Sequence, residues 1–436
     1  MLADRASAPP GSSSTFFSSP GFDDPRGRNG AMIHRREGWR DLTARIGRLS
    51  TQRSSSVMPA VDAQVVVIGA GVVGCATAMA LARRGVSVAI LEAEPEPALG
   101  ASATNSGILH MGFDSSPDEL ETELLLASAA LRDRVTSTLG IPVLRCGAVM
   151  RPDDDAQRDR LAAIAALARR NRVPIVERDG AIEIPGEAVT DPVRYTLALA
   201  GAAVRHGAEL RTGWRVSALE PDASGLAIRA QDGESVRCTI AVNCAGLHAD
   251  DVALLVGDDS FEIYPRKGEF LVFDPPEGEP LQRIILPVPT PRTKGVLVFP
   301  TLDGKVVAGP TAVDLDDKED WSVRPMARDE ILPKARAMYP PLAGAEPIAA
   351  YAGLRPAGRA HNYLIESSHA CARLVNAAAI RSTGLSASLG IAERIVQIVG
   401  PLGVSLGAPA ELKPAAPPEI PGPWWRRTAD FRARVT

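Results

Sequence analysis

Cysteine is scarce in this chain: Cys75, Cys146, Cys238, Cys244 and Cys371 are the five among 436 residues, and no two form a C-x-x-C pair. Such scatter supplies neither a disulfide framework nor the clustered thiolates of a zinc site or an iron–sulfur cluster. Buried thiols in a reducing, cytoplasmic setting are expected instead. No run approaches the roughly eighteen uninterrupted apolar residues of a transmembrane helix. An excess of one charge is missing too. The 48 Lys and Arg against 52 Asp and Glu leave a formal −4, which predicts no nucleic-acid partner and no anionic-membrane partner. The first sixty residues lack the apolar core of a secretory signal and are rich in Ser, Arg, Pro and Gly. Disorder is expected there. Asp23, Asp24, Glu37 and Asp41 count against a transit peptide, and Met58 is a candidate translation start.

What is present starts at Val65. The stretch Val65 to Glu92 reads VVVIGAGVVGCATAMALARRGVSVAILE. Its opening β-branched run suits a strand buried on both faces of a parallel sheet. Gly69, Gly71 and Gly74 then form G-x-G-x-x-G, in which the first glycine permits the turn, the second lets backbone approach a pyrophosphate and the third lets the next helix pack closely. Gly85 ends that helix and a second apolar strand runs to Glu92. The carboxylate lies about twenty residues beyond the glycines, where it accepts the ribose hydroxyls of an adenosine and repels a 2′-phosphate. The unit is therefore βαβ and dinucleotide-binding.

Residues Pro95 to Gly112 are too rich in Gly, Ser and Ala for a regular helix and suit a loop wrapped around phosphates. Helices are expected over Asp118 to Leu139, Asp154 to Asn171 and Asp191 to His206, the last capped by Thr190 or Asp191. Short runs from Glu209 to Asn243 predict an antiparallel meander returning to a buried strand, and Ala245 and Gly246 leave backbone free to approach a dinucleotide. Long alternating strands between Phe261 and Ala349 indicate a second, mixed or antiparallel sheet, with a helix from about Ala327 to Tyr339. Near the end, RSTGLSAS leads into a helix whose N-terminus is able to face the cofactor. The Pro-rich tail with Trp424, Trp425, Arg426 and Arg427 is expected to be extended and draped over the body, with peripheral membrane contact as the alternative.

Four separated segments carry a resemblance: VVVIGAGVVGCATAMALARRG with LEAE, TNSGILHMGFD, NCAGLHAD, and AGLRP followed by RSTGLSAS. Through them the chain resembles the D-amino-acid-oxidase superfamily of flavoproteins, and within it the glycerol-3-phosphate dehydrogenase/oxidase and L-2-hydroxyglutarate dehydrogenase branch. The resemblance implies an α/β fold, with a Rossmann-like, discontinuous FAD-binding domain of the glutathione-reductase type and an α+β substrate domain. The expected division is a 1–60 extension, cofactor segments 61–140, 187–260 and 350–405, substrate segments 141–186 and 261–349, and a 406–436 tail. FAD is implied in place of NAD. Gly69, Ala70, Gly71, Val72, Val73 and Gly74 would meet its pyrophosphate, and Glu92 and Ala93 its ribose. Ala101, Ser102, Thr104, Asn105, Ser106 and Gly107 would face the flavin side. Val216 would touch adenine, with Ala245 and Gly246 nearby. Gly353, Gly384, Leu385, Ser386 and Ala387 would approach the isoalloxazine. Some related chains carry a cysteine-rich extension, but this tail has no cysteine, so electrons are expected to leave through the flavin directly. Oxygen, a quinone and a partner protein all stay open as acceptors.

Oxidising a secondary alcohol requires a base for the hydroxyl proton, because that group does not ionise at neutral pH. His110 is the candidate: it follows the cofactor loop and matches the active-site histidine of the resembled branch. Ser106 is placed to orient it or the substrate. An anionic substrate needs fixed positive charge, for which Arg355 offers a planar fork, with Lys294 as second cation and Lys267 in reserve. Ser382 and Thr383 are expected to donate near the flavin or to cap the next helix. The favoured reading is FAD-dependent oxidation of a small anionic alcohol, sn-glycerol 3-phosphate first, with L-2-hydroxyglutarate or another 2-hydroxy acid as alternative. Amino-acid or glycine oxidation ranks third, and a non-catalytic flavin-binding subunit last.

Overall fold

The structure, a computed structural model, describes residues 63–223, 225–275, 280–289, 295–416 and 420–435. The expectations for residues 1–60, for Met58 and for Lys294 lie outside the described residues.

Strand β1 (Ala63–Ile68) turns into helix α1 (Val72–Ala82) and returns as β2 (Val88–Leu91). β1 and β2 pair in parallel from Val65↔Val88 to Ile68↔Leu91. Side chains alternate across a strand, and here both faces are buried: Val65 and Val67 enter one apolar cluster with α1, while Val66 and Ile68 enter another with Trp214, Leu226 and Ile228. The unbroken Val–Ile run follows from this two-sided burial. Beside β1 lies β3 (Ser235–Asn243), parallel to it. One edge of β3 changes partner along its length. Its first half pairs antiparallel with Leu226–Ala230, and Ala241–Asn243 pairs in parallel with Leu374–Asn376. The meander is therefore present, except that Glu209–Arg211 leaves it to pair with β2 at the far edge.

A second sheet of nine strands is mixed, with Ala148–Met150 parallel to Ile284–Leu286 and the other pairs antiparallel. Its spine is β4 (Ile263–Phe273), paired along its length with β5 (Ala349–Gly358) from Val272↔Ala349 to Ile263↔Gly358. This corrects the expected boundary at 350. The YAGLRP strand belongs to the second sheet through this ladder, in which Tyr351 lies opposite Phe270 and stacks on it, with ring centroids 4.8 Å apart and planes 11° from parallel. The chain rejoins the first sheet at Leu364–Ser367 and Leu374–Ala378. A three-stranded piece, Ile108–Leu109, Ala188–Thr190 and Val143–Leu144, completes the sheets.

Helix boundaries follow their caps. Asp154 accepts from Gln157 N at 2.7 Å ahead of Asp155–Arg170. Asp191 accepts from Val193 N and Arg194 N, both at 2.9 Å, ahead of Pro192–Arg205. Asp191 is thus the cap, while the Thr190 hydroxyl donates to the Pro142 carbonyl at 2.7 Å. α2 (Gly384–Val399) packs with α1 in the first core. The tail does drape over the body, with Gly407 N and Ala410 N donating to the Arg84 and Arg83 carbonyls. It is not extended throughout, for Arg427–Val435 is a helix. Trp424 and Trp425 are buried in the second core, which removes them from any membrane contact. No helix among the described residues is long and apolar enough to cross a membrane.

Candidate active site

The turn after β1 is shaped by its glycines. Gly69 has φ +103°, and a Cβ there would lie 2.5 Å from the Cys244 carbonyl oxygen. At Gly74 a Cβ would fall 2.0 Å from the Gly69 oxygen, so any side chain would force α1 off the turn. Gly71 differs: among the described residues the Ser102 hydroxyl, at 3.3 Å, is the atom near its missing Cβ. That hydroxyl accepts from Val72 N at 2.9 Å and fastens the small-residue loop to the start of α1. Glu92, at the end of β2, accepts from Ala70 N at 2.6 Å and from Glu94 N at 2.9 Å. Burial pushes its carboxyl above the usual range and these two N–H groups offset part of the rise.

A cavity of about 370 Å³ opens beside this turn. Gly69, Gly71, Val72 and Val73 form one wall, followed by Glu92 and Ala93. The loop contributes Ala101, Ser102 and Asn105, and the first-sheet strand ends contribute Val216, Ala245 and Gly246. Gly384 and Leu385 close it from α2. Other residues expected at the cofactor do not line the cavity and have roles in the frame. Ala70 is used through its N–H to Glu92 and Gly74 through helix packing. Thr104 is buried and bonded to the Ala101 carbonyl, and Gly353 is small because a Cβ would meet the Thr104 oxygen at 2.8 Å. A Cβ at Gly107 would meet the Thr190 oxygen at 2.3 Å, and Ala387 is fully buried in the first core. Ser386 donates to the Ile108 carbonyl at 3.1 Å and accepts from His110 N at 2.8 Å, so its hydroxyl is spent on holding the histidine segment.

Beyond the wall formed by the small-residue loop and α2 lies a polar corner. His110 Nδ1 is 2.9 Å from Glu187 Oε2, and the other Glu187 oxygen accepts from Met111 N at 2.7 Å. The Glu187 side chain is fully buried while the imidazole stays 30% exposed. A carboxylate at Nδ1 assigns the ring proton to that nitrogen and leaves Nε2 as the acceptor. Buried Arg132 donates to the His110 carbonyl at 3.3 Å; burial pushes its pKa down and the nearby Glu187 opposes that fall.

Arg355 sits on β5 opposite Arg266 of β4. Among the described residues it has no carboxylate partner, and its single hydrogen bond is a long one, 3.4 Å, to the Arg266 carbonyl. Burial first, then the like charges of Arg266 and Arg381, push its pKa down to about 10, which still leaves it charged at neutral pH. Arg266 is neutralised by a two-pronged pair with Asp314. Arg381, held at φ +59° and bonded to Asn362 Oδ1 at 3.4 Å, lines the cavity. Neither His110 nor Arg355 lines it directly. Each is tied to lining residues, His110 through Ser386 beside Leu385, and Arg355 through its neighbour Pro356.

Several expected groups are elsewhere. Lys267 is fully buried, 2.8 Å from Asp320 and 2.8 Å from the Ser322 carbonyl, which removes the reserve cation from the site. The Ser106 hydroxyl accepts from Ile108 N at 3.4 Å, so it serves its own loop. Ser382 is exposed and offers its carbonyl to Asn105 Nδ2 at 3.1 Å. Thr383 does not cap α2, since its hydroxyl bonds Tyr363 and Glu121, each at 2.7 Å. Sequence reasoning missed Glu187 and Arg381.

A half-buried acid at the end of the second strand, a glycine turn under a helix N-terminus and an imidazole–carboxylate pair beyond them define an oxidoreductase that works through a dinucleotide. The chain belongs to the FAD-dependent oxidoreductase family (DAO), whose profile matches residues 64–398; a pyridine nucleotide-disulphide oxidoreductase profile matches residues 9–111. Its cofactor is FAD. It is similar to glycerol 3-phosphate dehydrogenase of Caloramator mitchellensis, at 29% identity over 77% of this chain and 73% of that one. Glycerol 3-phosphate oxidase of Mycoplasma pneumoniae is 27% identical over 77% of this chain and 94% of its own. L-2-hydroxyglutarate dehydrogenase of Escherichia coli K12 is 27% identical over 61% of this chain and 68% of its own. Among solved structures, the dithionite-reduced L-alpha-glycerophosphate oxidase of M. pneumoniae with FAD bound superposes with a TM-score of 0.76 at 24% identity, covering 82% of this chain and all of that one.

Proposed function

We propose that this oxidoreductase acts on the CH–OH group of a small anionic secondary alcohol, sn-glycerol 3-phosphate in the first place, giving dihydroxyacetone phosphate. The observation that carries the proposal is Arg355, a guanidinium with no carboxylate partner among the described residues, near enough to the cavity-lining Arg381 for the two like charges to repel. An unpaired buried charge is costly, and an anion that supplies its hydrogen bonds removes that cost. Two guanidinium groups suit a dianion better than a single carboxylate. The relatives of Caloramator and Mycoplasma, named for glycerol 3-phosphate, support the same substrate.

Gly69, Gly71, Val72, Val73, Glu92, Ala101, Ser102, Asn105, Val216, Ala245, Gly246, Gly384 and Leu385 would hold the FAD. Bound FAD supplies the two-electron acceptor for the hydride that leaves the carbinol carbon. His110 Nε2 takes the hydroxyl proton as the carbonyl forms. Glu187 keeps Nδ1 protonated and faces the imidazolium that results, so the proton stays on the ring until solvent removes it. Arg355 and Arg381 hold the anionic end and keep the alcohol carbon in place.

Anaerobic mixing tests this. Addition of sn-glycerol 3-phosphate is expected to bleach the flavin absorbance of the purified protein, with dihydroxyacetone phosphate as product. Bleaching by L-2-hydroxyglutarate but not by glycerol 3-phosphate would transfer the site to the 2-hydroxy acids, and bleaching by glycine or a D-amino acid alone would transfer it to amines. A flavin that no member of the panel reduces would make the chain a binding subunit.

A further inference from the structure

The last helix lies outside the matched stretch 64–398, yet it reaches the cofactor cavity. Arg432 lines that cavity together with Glu92, Glu94 and Val216, at the adenosine end. It is 3.4 Å from Glu94 Oε1 and 3.5 Å from Glu319 Oε2, and its guanidinium lies 5.6 Å from the ring centre of Trp321. Trp321 also lines the cavity, and its indole N–H is buried with no acceptor among the described residues. Glu94 in turn donates its backbone N–H to Glu92.

The rest of the helix is fastened to the segment between the ribose acid and the small-residue loop. Arg427 bonds Glu96 at 2.8 Å and the Pro97 carbonyl at 3.2 Å, and Thr428 bonds the Leu99 carbonyl at 3.2 Å. Trp424 anchors the approach, its ring 5.5 Å from that of Tyr351 at 77°.

We propose that this helix is a clasp for the cofactor: Arg432 and Trp321 close the adenosine end of the FAD cavity, so that FAD leaves only when the helix undocks from 94–99. A guanidinium suits this place because it stacks on aromatic faces and donates to phosphate oxygens, and an indole supplies an apolar face with one donor. The clasp requires FAD as cofactor and is independent of which alcohol is oxidised.

The test is FAD binding to the full-length apoprotein, followed by quenching of flavin fluorescence. Arg432→Glu is expected to raise the Kd for FAD by about 10- to 100-fold, the loss that accompanies removal of a charge-assisted contact, mainly through faster release. Trp321→Phe keeps a ring and removes the donor, with an expected rise of a few-fold. A chain ending at residue 426 retains both buried tryptophans and is expected to match Arg432→Glu. Bound FAD should also slow tryptic cleavage after Arg427 and Arg432. Kd values within twofold of the parent for Arg432→Glu and the shortened chain, or equal cleavage with and without FAD, would overturn the clasp. These readouts need no substrate, so they stand apart from the bleaching test.

Discussion

The cofactor cradle and the polar corner share one wall, helix α2, and differ in what they are made of. In the cradle the working parts are backbone: a turn at φ +103°, the N–H groups that fix Glu92, and glycines whose missing Cβ atoms leave room. In the corner they are side chains carried by remote segments, His110 from the loop, Glu187 from ahead of Ala188–Thr190 and Arg355 from β5. Backbone devices depend on neighbours in sequence, whereas a side-chain constellation depends on the whole fold. A family can therefore keep its cradle while the corner is rebuilt for another substrate.

Substitutions can set the two regions against each other. The largest effect is expected for His110→Ala, which should slow anaerobic flavin reduction by roughly 10² to 10⁴ while the bound flavin spectrum and the Kd for FAD stay as they are; near-normal reduction in stopped flow would remove this residue from the chemistry. Next comes Arg355→Leu. It should weaken binding of an anionic substrate by about 10- to 100-fold and leave slow turnover of an uncharged analogue such as glycerol untouched, and equal losses for both substrates would show that the guanidinium holds structure, not anion. Glu187→Gln tests whether the corner needs its positioning residue. About tenfold slower reduction is expected, with unchanged substrate Kd, and a shifted Kd with normal reduction would assign Glu187 to substrate binding.

The smallest change is expected at Glu92→Gln and concerns stability. Burial raises the Glu92 carboxyl above its value in the unfolded chain, so the folded state binds the proton more tightly and loses stability as pH rises from the ordinary glutamate range through the raised value. Removing the charge should therefore raise the melting temperature of the apoprotein slightly at neutral pH, and less in mild acid, while FAD binds more weakly. Thermal melts across pH, with and without FAD, read both effects. A variant less stable at neutral pH than in acid relative to the parent would contradict the sign.

How much was legible follows the same division. β1, α1, β2 and Glu92 could be read because the contacts that make the unit itself, β1 with β2, Gly74 against Gly69 and Glu92 with Ala70 N, join residues about twenty apart or fewer, and their spacing states the turn, the helix and the acid. The cap of the Pro192–Arg205 helix was narrowed to Thr190 or Asp191 for the same local reason, and Asp191 is the one that accepts. Glu187 was not, since the histidine it holds is 77 residues away and GEAV resembles any turn before a strand. Lys267 sits in a Pro-Arg-Lys-Gly stretch that looks like a solvated hairpin, yet β4 runs straight through it and Asp320 comes from another segment to neutralise the ammonium. The sequence AAYAGLRPAG of β5 suits either sheet, and what decides between them is its pairing with β4, a strand about eighty residues earlier in the chain, with Tyr351 stacked on Phe270. Prolines before residue 424 gave the tail an extended reading and hid the short helix that follows.

The ladder between β4 and β5 acts as a ruler for aim. Ten consecutive pairs, from Val272↔Ala349 to Ile263↔Gly358, set where along the sheet Arg355 emerges and on which side. Side chains alternate between faces, so an insertion or deletion of one residue in either strand would rotate the guanidinium into the opposite layer and bring an apolar neighbour, Leu354 or Pro356, to its place. Drift in the length of either strand therefore keeps the guanidinium on its own side only in steps of two.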